Sequence, residues 1–116
     1  VKLIVAGSKN FKDYEFVKNA IDNLPFKPDE IVSGNASGVD QSGEKYAKEK
    51  GIDLVIFPAN WTKHGKSGGC LRNEKMINYA DSLLVIWDGE SRGTQHMISL
   101  AIDAGLKVWK YLYDAG

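Results

Sequence analysis

Short β-prone runs alternate with helical patterns along the whole chain, and that alternation leaves few folds open. Lys2 to Ala6, Glu30 to Ser33, Asp53 to Phe57, Ser82 to Trp87 and Lys107 to Tyr113 each read as a strand. Between them apolar residues recur three and four apart, as one face of a helix requires. Phe16, Val17, Ala20, Ile21 and Leu24 do so after Asp13, a suitable N-cap, and before Pro25 and Pro28, which close the helix. Val39 to Lys50 reads as the second helix, with Gly51 placed to end it. Cys70 to Tyr79 reads as the third, with Leu71, Met76, Ile77 and Ala80 facing inward. Gly93-Thr94 opens the fourth, which buries Met97, Ile98, Ala101 and Ile102 and ends at Gly105. This order predicts an α/β fold with a five-stranded parallel sheet and helices on both faces. Ser82 to Trp87, apolar almost throughout, suits a central strand.

Residues 1–116 are expected to form one domain, long enough to bury a core without staples. Lys+Arg and Asp+Glu each number 15, so the chain carries no broad charge that would capture nucleic acid or a membrane surface. One cysteine, Cys70, rules out an internal disulfide and a Cys-rich zinc site, and fits a reducing cytoplasm. No apolar run reaches the length of a membrane span, and the first residues lack the layout of a signal peptide. A cytoplasmic location is the expectation.

In parallel α/β sheets, ligands bind outside the carboxyl ends of the strands. Four segments follow strands here and are expected on that rim: Gly7-Ser8, Ser33 to Gly38, Pro58 to Ser67 and Asp88 to Thr94. Ile31 to Asp40 passes from a β-prone run through small residues into a helix start, where backbone N–H groups can face an anion. The spacing is neither GxGxxG nor a P-loop, and a tight strand-to-helix turn would explain it equally. Asp88 to Thr94 is the second phosphate candidate, with Gly93 for close approach, Thr94 for a hydroxyl and Arg92 for charge. Its alternative is a polar turn in which Ser91 or Thr94 caps the helix.

Arg72 and Asn73 begin the third helix, where an arginine opposes the dipole and is suited to an anion. Asp40 and Asp88 lie at strand-to-helix junctions and could meet a sugar hydroxyl, act as a base or cap a helix. Ala59 to Gly69 is the longest irregular stretch. Its Lys63, His64 and Lys66, bounded by glycine, fit a lid or a solvated loop. Trp61 could stack on a base or anchor that loop. His64 and His96 show no metal-ligand spacing, so no metal site is expected, and magnesium would enter only with a phosphorylated ligand. His96 reads as a partly exposed helix residue. Cys70 reads as structural, because no histidine is paired with it in sequence. No G-x-S-x-G elbow is present.

Four segments together resemble the SLOG superfamily, which unites DprA/SMF proteins, LOG phosphoribohydrolases and YpsA-like proteins. Val5-Ala6-Gly7-Ser8-Lys9 looks like the opening G-S-R, with lysine replacing arginine. Val32-Ser33-Gly34-Asn35-Ala36-Ser37-Gly38-Val39-Asp40 is similar to the V-S-G-x-A-x-G-[IV]-D run of the DprA side. Arg72-Asn73, with Ala80-Asp81 before the fourth strand, looks like that group's R-N segment. Gly89 to Thr94 resembles the G-G-x-G-T turn of the LOG side, with Glu90 in a glycine's place. Phe57 to Lys66 reads like the F-P-A-x-W-x-K-x-G-K of a small stand-alone YpsA-related branch.

The resemblance implies a Rossmann-like sandwich with strand order 3-2-1-4-5 and a nucleotide or nucleotide derivative bound between strands 1 and 4. On that reading the ligand site draws on Gly7, Ser8, Lys9, Ser33, Gly34, Asn35, Ala36, Gly38, Asp40, Trp61, Arg72, Asn73, Asp88, Gly93 and Thr94. LOG hydrolases carry G-T-x-x-E, whose glutamate serves N-glycosidic chemistry; here that position is Met97. A hydrolase acting on an N-glycosidic or phosphate bond is therefore the second reading, with Asp88, Glu90 or Asp40 as acid or base. DprA-like binding of single-stranded DNA is the third, and the short, neutral chain with Lys9 in place of arginine speaks against it. The aromatic last strand, with Trp109, Tyr111 and Tyr113, suggests a homodimer unless another segment covers it.

Overall fold

The computed structural model describes residues 1–59 and 61–114, and the side chains of all of these but Trp61, His64 and Lys66. Its elements run β1 (Lys2–Gly7), α1 (Tyr14–Asp22), β2 (Glu30–Ser33), α2 (Val39–Lys50), β3 (Asp53–Ile56), α3 (Trp61–His64), a 3-10 turn (Gly65–Ser67), α4 (Gly68–Tyr79), β4 (Ser82–Trp87), α5 (Arg92–Asp103) and β5 (Lys107–Leu112). All five strands pair in parallel, in the order β3-β2-β1-β4-β5. The expected Rossmann-like topology is therefore present, with β1 and β4 side by side at the centre.

The period of two along a strand separates the core into two layers. Leu3 and Val5 of β1, with Ile31, Leu84 and Ile86, pack against Val17, Ala20 and Ile21 of α1 and Val39, Tyr46 and Ala47 of α2. Ile4, Ala6, Val32, Leu83 and Val85 point the other way, to Met76 and Ile77 of α4 and Met97, Ile98 and Ala101 of α5. Burial of each such Leu, Ile or Val contributes about 1.5–3 kcal/mol. The chain reverses across the sheet between β3 and β4, so the loops after β1 and β4 diverge and leave a crevice between them.

Three expectations need correction. Ile102 of α5, expected in the core, is 62% exposed. Ala59 to Gly69 is not irregular: Trp61 to Ser67 is helical in two short pieces, and α4 begins at Gly68, before Cys70. Gly68 is buried. The aromatic stripe of β5 is covered by the α1 layer. Phe11 lies 4.6 Å from Tyr113, Phe26 5.4 Å from Trp109 and Phe16 5.8 Å from Tyr111, measured between ring centres. Trp109, Tyr111 and Tyr113 are partly buried against the protein's own core, the covering that the sequence left open as the alternative to a homodimer.

Candidate functional site

A cleft of about 420 Å³ opens at the carboxyl ends of β1 and β4. Ala6, Gly7, Met76 and Met97 line it from the sheet and the α4–α5 layer, and Lys9, Asp40, Arg72, Asn73, Arg92 and Thr94 bring polar groups to it. Of the residues singled out in the sequence, Gly7, Lys9, Ala36, Asp40, Arg72, Asn73, Gly93 and Thr94 reach this cleft. Ser8, Ser33, Gly34, Asn35, Gly38 and Asp88 support its walls instead. Trp61 was expected to cover a base, and His64 and Lys66 to serve a lid; those side chains lie outside the described residues.

Close approach of backbone explains the glycines. A Cβ at Gly7 would stand 2.0 Å from the Ile86 carbonyl oxygen, so only glycine lets β1 and β4 run together to the rim. Gly38 has a φ of 76°, and a Cβ there would lie 2.4 Å from the Ser8 carbonyl oxygen. This packs the β2–α2 loop onto the β1–α1 loop, where the Val39 N–H donates to the Ser8 carbonyl at 3.4 Å. Ser8 is buried and its hydroxyl accepts from the Asp88 N–H at 3.2 Å, which ties the third loop to the first two.

The small-residue loop after β2 is satisfied internally. Asn35, with a φ of 60°, donates its N–H to the Ser33 hydroxyl at 3.0 Å, and the Ala36 N–H reaches the Asp40 carboxylate at 3.3 Å. The Ser33 hydroxyl in turn donates to Glu44 at 2.7 Å, and the Asn35 amide, oriented by its surroundings, also donates to Glu44. Two of the backbone N–H groups expected to hold phosphate are thus committed to the protein. Asp40 does not cap α2, whose N-cap position is Gly38. Its carboxylate turns back into the loop beside Arg72. Burial pushes the Asp40 carboxyl up to about 6, against the opposing pull of the Ala36 N–H and the Arg72 guanidinium, while Glu44 adds to the rise.

Arg72 spans the cleft wall. Its Nη1 donates to the Gly34 carbonyl at 2.6 Å and its Nε to the Asn73 side-chain oxygen at 3.0 Å. A Cβ on Gly34 would sit 2.5 Å from Nη1, so Gly34 is the residue that admits this arginine. Asn73, 6% exposed, directs its amide to the Gly93 carbonyl at 3.4 Å and to His96 Nδ1 at 3.2 Å. Glu44 and His96 are among the contributors that sequence reasoning did not place at the site.

The loop after β4 has a different state. Asp88 accepts the N–H groups of Glu90 and Ser91, each at 2.9 Å, and these bonds hold its carboxyl below the usual carboxylate range. Ser91 occupies the N-cap position of α5 without a side-chain cap, and Thr94 donates its hydroxyl to the Ser91 hydroxyl at 3.4 Å. Among the described residues the N–H groups of Arg92, Gly93 and Thr94 have no acceptor, as expected for a first helical turn. A Cβ on Gly93 would meet nothing within 4 Å, so this turn is open where the β2 loop is closed. Glu90 is exposed and away from the cleft, and Met97 is buried in the α4–α5 layer, leaving no carboxylate at the LOG glutamate position. Cys70, expected to be structural, is exposed at the cleft rim. Among the described residues no three His, Cys, Asp or Glu side chains gather as metal ligands, and no helix is long and apolar enough to cross a membrane.

Comparison with known proteins agrees with this architecture. The model of the YspA, cpYpsA-related SLOG family matches residues 1–64, which include the Gly7-Ser8-Lys9 and Ser33 to Asp40 segments. The "Gene 61 protein" of Mycobacterium phage D29 is 33% identical over 116 aligned positions, covering 92% of this chain and 93% of that protein. The chain belongs to the YspA, cpYpsA-related SLOG family. Among solved structures, DNA processing protein A (DprA) from Streptococcus pneumoniae superposes on 94% of this chain with a TM-score of 0.75 and 19% identity. This chain spans 49%, about half, of that one, and the likeness is one of fold.

Proposed function

We propose that the cleft between β1 and β4 binds a nucleotide or nucleotide derivative, with its phosphate at the start of α5. The observation that carries this reading is the open first turn of α5, uncapped and with unpaired N–H groups, facing a cleft that Lys9, Arg72 and Arg92 also line. A phosphate there meets the positive end of a helix dipole, and Arg92 can fork onto two of its oxygens. The β2 loop acts more as a wall than as a second phosphate cradle, because its Asn35 and Ala36 N–H groups already serve Ser33 and Asp40. Family membership supports a nucleotide-related or nucleic-acid-related role in general. The neutral net charge favours a small ligand over an extended strand.

Hydrolysis of such a ligand has one specific observation in its favour: Asp40, buried at the cleft with a carboxyl raised to about 6, is suited to proton transfer near neutrality. Asp88 is a weaker candidate, since two backbone donors stabilise its charged form.

A thermal-shift panel of nucleoside phosphates, NAD derivatives and sugar phosphates tests the binding reading. A ligand at about one hundred times its Kd stabilises the native state by about 2.7 kcal/mol. A rise in melting temperature is expected with a phosphate-bearing nucleotide and is expected to shrink with Arg92→Ala. No shift with any member of the panel removes the proposal.

A further inference from the structure

The Asn73 side chain has one acceptor and two donors, and the surrounding groups leave it one orientation. Arg72 Nε can only donate, so the atom 3.0 Å from it is the amide oxygen. The Gly93 carbonyl can only accept, so the atom 3.4 Å from it is the amide nitrogen. That nitrogen also lies 3.2 Å from His96 Nδ1. Since the nitrogen is a donor, Nδ1 must accept, and the ring proton is on Nε2. Half-buried His96 lines the cleft on the second turn of α5, and Nε2 has no partner among the described residues. The chain Gly34, Arg72, Asn73, His96 therefore joins the β2 loop to the α4–α5 seam and ends in one free N–H.

We propose that Asn73 holds His96 as the neutral Nε2–H tautomer, and that His96 donates this proton in a hydrogen bond to a phosphoryl oxygen of the ligand. The inference rests on the proposed nucleotide site and names a residue that selects its ligand. Asn73 is a positioning residue, fully committed to protein groups. His96 lines the same cleft as Arg92, Gly93 and Thr94, one turn further along α5. A neutral imidazole offers direction rather than charge, and the ligand it favours is one with an acceptor at that point. A nucleoside without phosphate leaves Nε2–H unused.

Two readouts test this separately. In the ligand-free protein, long-range proton–nitrogen spectra of the imidazole are expected to show the Nε2–H tautomer for His96. Asn73→Ala is expected to give a mixture of tautomers in a protein whose amide spectrum stays folded. An Nδ1–H ring in the wild type, or an unchanged ring in the Asn73 variant, overturns the positioning role. Titration calorimetry with a nucleotide and its parent nucleoside then tests the contact. His96→Ala is expected to reduce the preference for nucleotide over nucleoside about fivefold, the effect of one hydrogen bond. His96→Gln, whose amide can replace Nε2–H, is expected to restore most of it. A preference unchanged in His96→Ala overturns the contact. Failure of the wild type to bind any nucleotide overturns the site itself, whatever the tautomer.

Discussion

Gly38 sits where two rim loops meet, and it has no freedom to become anything larger. Its φ of 76° is costly for a residue with a side chain, and its Cα faces the Ser8 and Lys9 carbonyls. Gly38→Ala is predicted to cost about 2–4 kcal/mol through strain and displacement of the β1–α1 loop, measurable by urea unfolding. Asp40 gives a pH signature of its own. Its folded carboxyl titrates near 6, above the ordinary 3.8, so the folded state binds the proton more tightly than the unfolded one. The stability this confers is fully present below about pH 4 and is lost as pH rises through about 6. Asp40→Asn removes that titration. The variant is therefore predicted to gain on the wild type by about 2–3 kcal/mol between pH 4 and pH 7 in paired urea titrations. A constant difference across that range would mean that Asp40 is not desolvated in the folded protein.

At the scale of elements, local sequence rules account for most boundaries. Asp13 caps α1 by accepting the Phe16 N–H at 3.2 Å, and Gly51 ends α2 in the left-handed conformation with a φ of 67°. Asp13→Ala is predicted to cost about 1 kcal/mol by loss of this cap, again by urea unfolding. The ranges of β2, α2 and β4 are as the alternation of apolar runs predicts. Trp61 to Ser67 is different, because one turn of α-helix and one of 3-10 helix are too short to display an apolar period. Glycines at 65, 68 and 69 further read as loop. Within the site, Gly7, Gly38 and Asp40 were legible because special backbone positions and a buried charge follow a recognisable loop. Glu44 was within reach: it lies four residues after Asp40, hence on the same helix face, but only the fold shows that Ser33 meets it. His96 left no such signal, since its partner Asn73 is on another helix. The commitment of the Asn35 and Ala36 N–H groups to the protein left no signal for a related reason. A row of small residues shows that backbone approaches something closely, not whether that something is a ligand or the neighbouring carbonyl and side chain.

At the scale of the molecule, the order β3-β2-β1-β4-β5 creates the crevice, and the loops after β1, β2 and β4 shape it. Two recesses of useful size then compete for the role of ligand site. The second, of about 550 Å³, is lined by Ile21, Pro25, Phe26, Tyr46 and Ile52 among others, near the amino ends of β2 and β3. Its charged lining is Asp22, Lys27 and Lys50, with no arginine to fork onto a phosphate. The most direct measurement of the central claim is therefore a map of binding by amide chemical shifts, taken as a nucleotide is titrated into labelled protein. The account predicts the largest changes at Arg92, Gly93 and Thr94, with further changes at Lys9 and Arg72, and little movement from Pro25 to Pro28. Changes concentrated around Phe26 and Tyr46, or saturating binding that leaves the first turn of α5 unmoved, would contradict it.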